Sequence, residues 1–167
     1  MSLTIIKGTI VSAPALGQLD ITPGGYLIAR DGVIQGVYPA LPEQYAGAPV
    51  EDYGDDLILQ SFADLHLHGA QYPMLGMGMD LPLLDWLNAY AFPTEARFAD
   101  TGYAREIYRR LARELIENGT TRVCMFSSLH TDATLILMEE LEKAGVTGYV
   151  GKVNMDRNAA PGVLEET

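Results

Sequence analysis

Two histidines one residue apart, His66-Leu67-His68, end the run Phe62-Ala63-Asp64-Leu65-His66-Leu67-His68 and are followed by Gly69-Ala70-Gln71. On an extended strand the side-chain period is two, so both imidazoles project from one face, about 6.6 Å apart along the chain (two rises of ~3.3 Å). Rings so placed can converge on one divalent cation at Zn–N distances of ~2.0–2.1 Å. A cation held there lowers the pKa of water to ~7, which is the chemistry of a hydrolase. Asp64 shares the parity of the pair on a regular strand, so it is expected on the same face, either orienting a ligand or making a structural hydrogen bond. A catalytic zinc site takes at least three protein ligands and a water. The remaining histidine, His130, reads more readily as a loop or helix-start residue than as a ligand.

The elements that must position this pair follow from periodicity. Phe62–Leu67 is a short apolar run, and the segments after it alternate between helix-length stretches and β-branched runs, which is the rhythm of βα units. Tyr103, Ile107, Leu111 and Leu115 recur at i, i+4 along one helical face, with Asp100 or Thr101 to cap it and Asn118-Gly119 to stop it. Arg122–Phe126 reads as the next strand. A second helix follows, capped by Thr131 or Asp132, with Leu135, Met138 and Leu141 as its apolar stripe and Gly145 as its stop; Thr147–Val153 is then the third strand. An earlier helix over Leu81–Phe92 presents Leu84, Leu87 and Ala91 and ends at Phe92-Pro93. Before Gln60 the chain reads as strands and turns, with Gly24-Gly25 and Asp31-Gly32 as turn pairs and Pro39–Tyr53 as a surface connection.

The expected fold class is therefore α/β, divided at residues 1–60 and 61–167: a small β-module, then three parallel strands with about three helices. A closed eight-stranded barrel needs ~250 residues. The 167 residues thus read as a fragment, the β-module plus the first three strands of a (β/α)8 barrel, or else as a small open sheet. The His-X-His pair then falls at the carboxyl end of the first strand, the end at which barrel active sites are built. Jelly-roll metal proteins and carbonic-anhydrase-like sheets also carry His-X-His, but the helices that follow speak against both.

Composition narrows the partners. Acidic residues number 22 against 11 basic, a net charge of −11, which repels nucleic acid and anionic lipid. No apolar run approaches the ~20 residues of a membrane span, and no basic segment leads into a long apolar stretch near Met1, so a cytoplasmic address is expected. Cys124 is the single cysteine, so a disulfide within the chain or a cysteine-rich zinc site is excluded, and any metal is held mainly by histidine and carboxylate. Cys124 itself reads as a small apolar residue in a buried strand, and Glu139, Glu140 and Glu142 as a solvated helix face. Trp86, Tyr90 and Phe92 read as core, and Lys152 as an ion-pair partner.

An apolar strand carrying Asp-X-His-X-His just after an N-terminal β-module resembles the amidohydrolase superfamily, metal-dependent hydrolases and deaminases with a (β/α)8 barrel and a flanking β-sandwich. Within it, His66–Tyr72, Met79–Leu87, Phe92-Pro93-Thr94-Glu95, Asn118–Thr121, Leu129–Asp132 and Val150–Asp156 resemble, segment after segment, the branch that deaminates guanine. The match runs from about Leu57 to Asp156, with Gln60-Ser61 where the superfamily usually has Pro-Gly. The resemblance implies that residues 1–60 belong to a composite β-sandwich. It makes His66 and His68 the first two ligands of one Zn2+, iron being the other possible metal. His68, Gly69, Ala70 and Gln71 become substrate contacts. The Gln71 amide suits this role, since it offers a donor and an acceptor together to the mixed edge of a purine. The implied reaction is hydrolysis of guanine to xanthine and ammonia, by an enzyme that is a homodimer when complete. The acid–base groups and remaining ligands are expected on later strands, beyond Thr167, so no catalytic residue is expected within the chain. The 167 residues alone are expected to be inactive and to associate with the missing remainder or with one another. The rival readings are another deaminase or chlorohydrolase of the superfamily, and a non-catalytic small α/β module in which the histidines are structural.

Overall fold

Apolar residues recurring on one face from Ile5 onward build a long first strand, and the computed structural model, which describes residues 2–165, places it at the heart of a four-stranded sheet. Strands β1 (Leu3–Ala15) and β2 (Gln18–Arg30) form a hairpin, and β3 (Val33–Tyr38) folds back on β2 through Asp31-Gly32, whose φ values of 50° and 79° suit a two-residue type I′ turn. Strand β4 (Glu51–Leu59) runs parallel to β1, giving the order β3-β2-β1-β4. Gly24-Gly25 does not turn the chain. It lies inside β2, where the β1–β2 register slips between Gly8 and Ile10 and a bulge takes up the extra residue. Nor is Pro39–Tyr53 all surface: Tyr45, in a short 3-10 turn, is buried with Ile5 and Ile28, because so small a sheet needs a large ring to close its core.

The chain divides after Gln60, and residues 61–167 form a second unit around a parallel sheet of β5 (Phe62–His68), β6 (Thr120–Phe126) and β7 (Thr147–Gly151), in that order. Thr167, beyond which the acid–base groups and further ligands are expected, lies outside the described residues. The helices of this unit are α1 (Leu83–Trp86), α2 (Phe92–Ala96), α3 (Thr101–Glu117) and α4 (Thr131–Ala144). Asp100 caps α3, its Oδ1 accepting from the backbone N–H of Gly102 and Tyr103 at 2.8 and 3.1 Å. The N-cap of α4 is His130 rather than Thr131 or Asp132, and Gly145, at φ 81°, ends it. Ile107, Tyr108 and Leu111 of α3 and Leu137 and Leu141 of α4 pack on Val123 and Met125 of β6. Together the two units make a mixed α/β chain in which, among the described residues, no helix is long and apolar enough to cross a membrane.

Three helix readings are corrected by the packing. The segment expected to stop at Phe92-Pro93 passes through a π turn, Leu87–Ala91, and continues as α2, with Pro93 just past the turn. Leu84 is exposed, and so are Leu135 and Met138. The stripe that α4 buries is instead Ala133, Ile136, Leu137, Glu140 and Leu141, one face around from the expected one.

The inclusion of Glu140 on that face corrects the reading of a solvated acidic run. Its carboxylate is 4% exposed and meets Arg105 and Lys143 at 2.8 Å and Arg109 at 3.5 Å, tying α4 to α3. Lys143 foremost, then Arg105, hold it below the usual carboxylate value of 4.5, although burial opposes them. A carboxyl depressed on folding contributes stability at pH above its unfolded value and loses it as pH falls through the folded one. Glu140→Gln is thus expected to cost about 1–2 kcal/mol near neutrality, with the deficit shrinking below pH 4.5 and vanishing in stronger acid. Urea unfolding across that range checks this; a deficit that ignores pH would show that charge is not what binds α4 to α3.

Candidate active site

Strand β5 is not regular where it matters. Asp64 pairs with Val123 and Leu67 with Met125, so Leu65 and His66 together face the single residue Cys124 of β6. This bulge is closed by Asp64, whose Oδ1 accepts the His66 backbone N–H at 3.1 Å. Asp64 consequently lies in register with a core-facing residue and does not share the open face with the histidines; its contact is to the backbone of the bulge. The extra residue is the reason that strict alternation fails.

His66, in the bulge, and His68, just beyond it, stand side by side, with ring centroids 5.1 Å apart and planes at 80°. Phe126, opposite His68 on β6, braces both, at 5.8 Å from His66 and 5.1 Å from His68. Burial, and then the neighbouring imidazole, push His68 below the usual histidine value, so the ring is neutral near pH 7 and has a lone pair to offer. The donor set fits half of a catalytic zinc centre: two imidazoles at one strand end. Among the described residues no group of three or more His, Cys, Asp or Glu side chains stands ready to hold a metal.

His66, His68 and Gln71 line one cleft of about 360 Å³, together with Tyr72, Leu111 and Glu114. Gly69 and Ala70 are buried and are not among the residues that line it. A Cβ on Gly69 would stand 2.8 Å from Met125 Sδ, so glycine is what lets the chain turn from β5 this close to the core. Gly69 and Ala70 can therefore meet a ligand only through their backbone. Gln71 Nε2 donates to Glu95 Oε1 at 2.9 Å, and Tyr72 donates its hydroxyl to Glu114.

The other candidates lie elsewhere in this unit. His130 accepts or donates at Nδ1 to Ser128 Oγ at 3.2 Å, and its value is lowered by burial first and by Lys152 second. Lys152 pairs with Glu165. Trp86 donates to the Met77 carbonyl at 2.9 Å, while Phe92 is buried. Cys124 is exposed, because α3 and α4 cover only one face of the sheet and Leu65, Cys124 and Tyr149 stand on the other.

Sequence reasoning gave Glu95 no role beyond its place in the Phe92-Pro93-Thr94-Glu95 match, and missed the buried polar group beside it. The Tyr108 hydroxyl lies 3.1 Å from Ser127 Oγ, and burial foremost pushes it up to about 12. Glu95 had a signal. It follows Ala91 by four residues and Phe92 by three, so a helical reading carried through Pro93 sets an acid on an apolar face.

The guanine deaminase of Rattus norvegicus is 46% identical to this chain over 112 residues, covering 67% of this chain and 25% of the rat protein. That of Dictyostelium discoideum is 32% identical over 182 residues, covering 99% of this chain and 40% of its own. Among solved structures, the guanine deaminase from C. acetobutylicum with guanine bound in its active site superposes with a TM-score of 0.89 at 43% identity, covering 98% of this chain and 39% of that one. The chain thus spans a quarter to two fifths of the length of these relatives. The model of the Amidohydrolase family matches residues 57–167, two thirds of the sequence, and the chain belongs to that family.

Proposed function

We propose that this chain is the N-terminal part of a guanine deaminase that hydrolyses guanine to xanthine and ammonia at a metal centre. The observation that carries the reading is the pair His66 and His68, side by side at the end of β5 and bordering the cleft that Gln71 lines. Likeness to guanine deaminases over nearly the whole chain supports it. On this reading β5–β7 are the first three strands of a (β/α)8 barrel, residues 1–60 contribute to a β-sandwich, and the open sheet face bearing Leu65 and Tyr149 is covered by the remaining strands.

His66 and His68 would hold the metal, with zinc or iron suited to two imidazoles. When bound, the metal supplies a nucleophile at neutral pH by acidifying water. The chain's own residues then do the rest of what this part can do. Phe126 keeps the two rings from turning away from each other. Gln71 binds and orients the base through its amide, and the backbone of Gly69 and Ala70 walls the pocket. The proton-transfer groups come from beyond Thr167, as do surfaces that make the complete enzyme a dimer.

The test uses the complete, metal-loaded protein: ultraviolet absorbance of guanine is expected to fall as xanthine forms, whereas the purified 167 residues alone leave it unchanged. Preferential turnover of adenine, cytosine or a chlorinated triazine would redirect the assignment to another hydrolase of the family. Turnover of guanine by the 167 residues alone would refute the partial-barrel reading.

A further inference from the structure

Glu95 is 6% exposed, and Gln71 Nε2 donates to its Oε1 at 2.9 Å. Glu140, the other deeply buried carboxylate, lies among two arginines and a lysine, whereas no lysine or arginine pairs with Glu95 among the described residues. Burying a carboxylate without a counter-ion is costly, and an apolar residue of the same size would hold α2 to the core more cheaply. Ala91, Phe92 and Phe98 of the same stretch are buried, and the polar group near it is the Tyr108 hydroxyl, which carries no charge to offset it. The helix that carries it, α2, is reached through the π turn Leu87–Ala91, an irregularity concentrated at functional sites. Burial foremost raises its carboxyl above the usual value of 4.5, and the Gln71 hydrogen bond opposes that shift without cancelling it.

A carboxylate only accepts hydrogen bonds. Oε1 takes the N–H of Gln71, and in the ionised form neither oxygen can donate to the carbonyl, so this contact selects one of the two orientations open to an amide. We infer that Glu95 is a positioning residue that locks the Gln71 side chain, so that the carbonyl oxygen and the second N–H face the cleft as a fixed acceptor–donor pair for the substrate base. This inference rests on the reading of Gln71 as a substrate contact. Glu95 itself touches no substrate. Its effect is to fix the order of acceptor and donor, and with it which edge of a base Gln71 accepts.

The complete metal-loaded enzyme tests this with Glu95→Gln, Glu95→Leu, Gln71→Ala and the double variant Gln71→Ala/Glu95→Leu. Glutamine keeps the volume but both donates and accepts, freeing the Gln71 amide to turn; leucine removes the acceptor altogether. Each Glu95 variant is expected to raise the KM for guanine about tenfold, the scale of one charge-assisted hydrogen bond, with kcat within about threefold and metal content unchanged. Gln71→Ala raises KM as much or more, and adding Glu95→Leu to it changes nothing further. A structural role predicts the opposite pattern: a lower Tm, lost kcat, and an effect undiminished in the Gln71→Ala background. Glu95→Leu is instead expected to melt no lower than wild type, since it removes a buried charge, and it serves should Glu95→Gln not accumulate. Unchanged KM in a folded Glu95 variant, or additive effects in the double variant, overturns the inference alone. A wild-type enzyme inert toward guanine overturns the functional reading and the inference with it.

Discussion

In the complete protein, His66→Ala or His68→Ala is expected to strip the metal and lower kcat/KM for guanine on the order of 10³-fold or more. The rings stand 5.1 Å apart at one strand end, and each would provide a bond that no other side chain near them can replace: among the described residues nothing completes a third donor. His68 has a further reason to matter. Burial, and then the neighbouring imidazole, lower its pKa, which favours the neutral form that a metal takes. Metal content by elemental analysis, read beside activity, separates this from misfolding, because both residues lie at the open end of β5 and outside the buried cluster of that unit. Variants that kept full metal occupancy and turnover would leave the histidines as supports for Phe126 and nothing more.

The second large effect falls on stability. Gly148 in β7 lies in register with Val123 at φ 148°, and a Cβ there would stand 1.9 Å from the Val123 carbonyl oxygen and 2.9 Å from its nitrogen. No rotamer relieves a clash with backbone, so Gly148→Ala must push β7 away from β6 or break the pairing. The expected cost is about 3 kcal/mol or more, read as a lower urea midpoint or as loss of soluble protein. Gly151→Ala, three residues along the same strand, is the control. Its Cβ would meet only Phe126 Cδ1 at an ordinary 3.8 Å, and its stability is expected to stay near wild type.

The βα repeat is legible because its signals are local. Asp100, Asn118-Gly119 and Gly145 mark the ends of α3 and α4 in the sequence as they do in the structure, and β6 and β7 fall where β-branched runs follow those stops. What cannot be read depends on neighbours. α4 has two apolar stripes, and only packing against α3 decides that Ile136 and Leu137 turn inward while Leu135 and Met138 do not. A buried Cys124 requires both faces of the parallel sheet to be covered, and here α3 and α4 cover one. Glu95 escapes because proline ordinarily ends a helix, whereas a π turn carries this one onward. At the candidate site, the shared face of His66 and His68 follows from period two, but the displacement of Asp64 does not, since a bulge has no reliable signature in one sequence.

The additional residue at Leu65–His66 also separates two kinds of selection along a single short strand. On one side Asp64 and Leu67, three residues apart yet in register with Val123 and Met125, answer to the helices; on the other, His66 and His68 answer to what they hold. Removing that one residue would restore strict alternation and turn either Asp64 or the two imidazoles to the opposite side of the sheet.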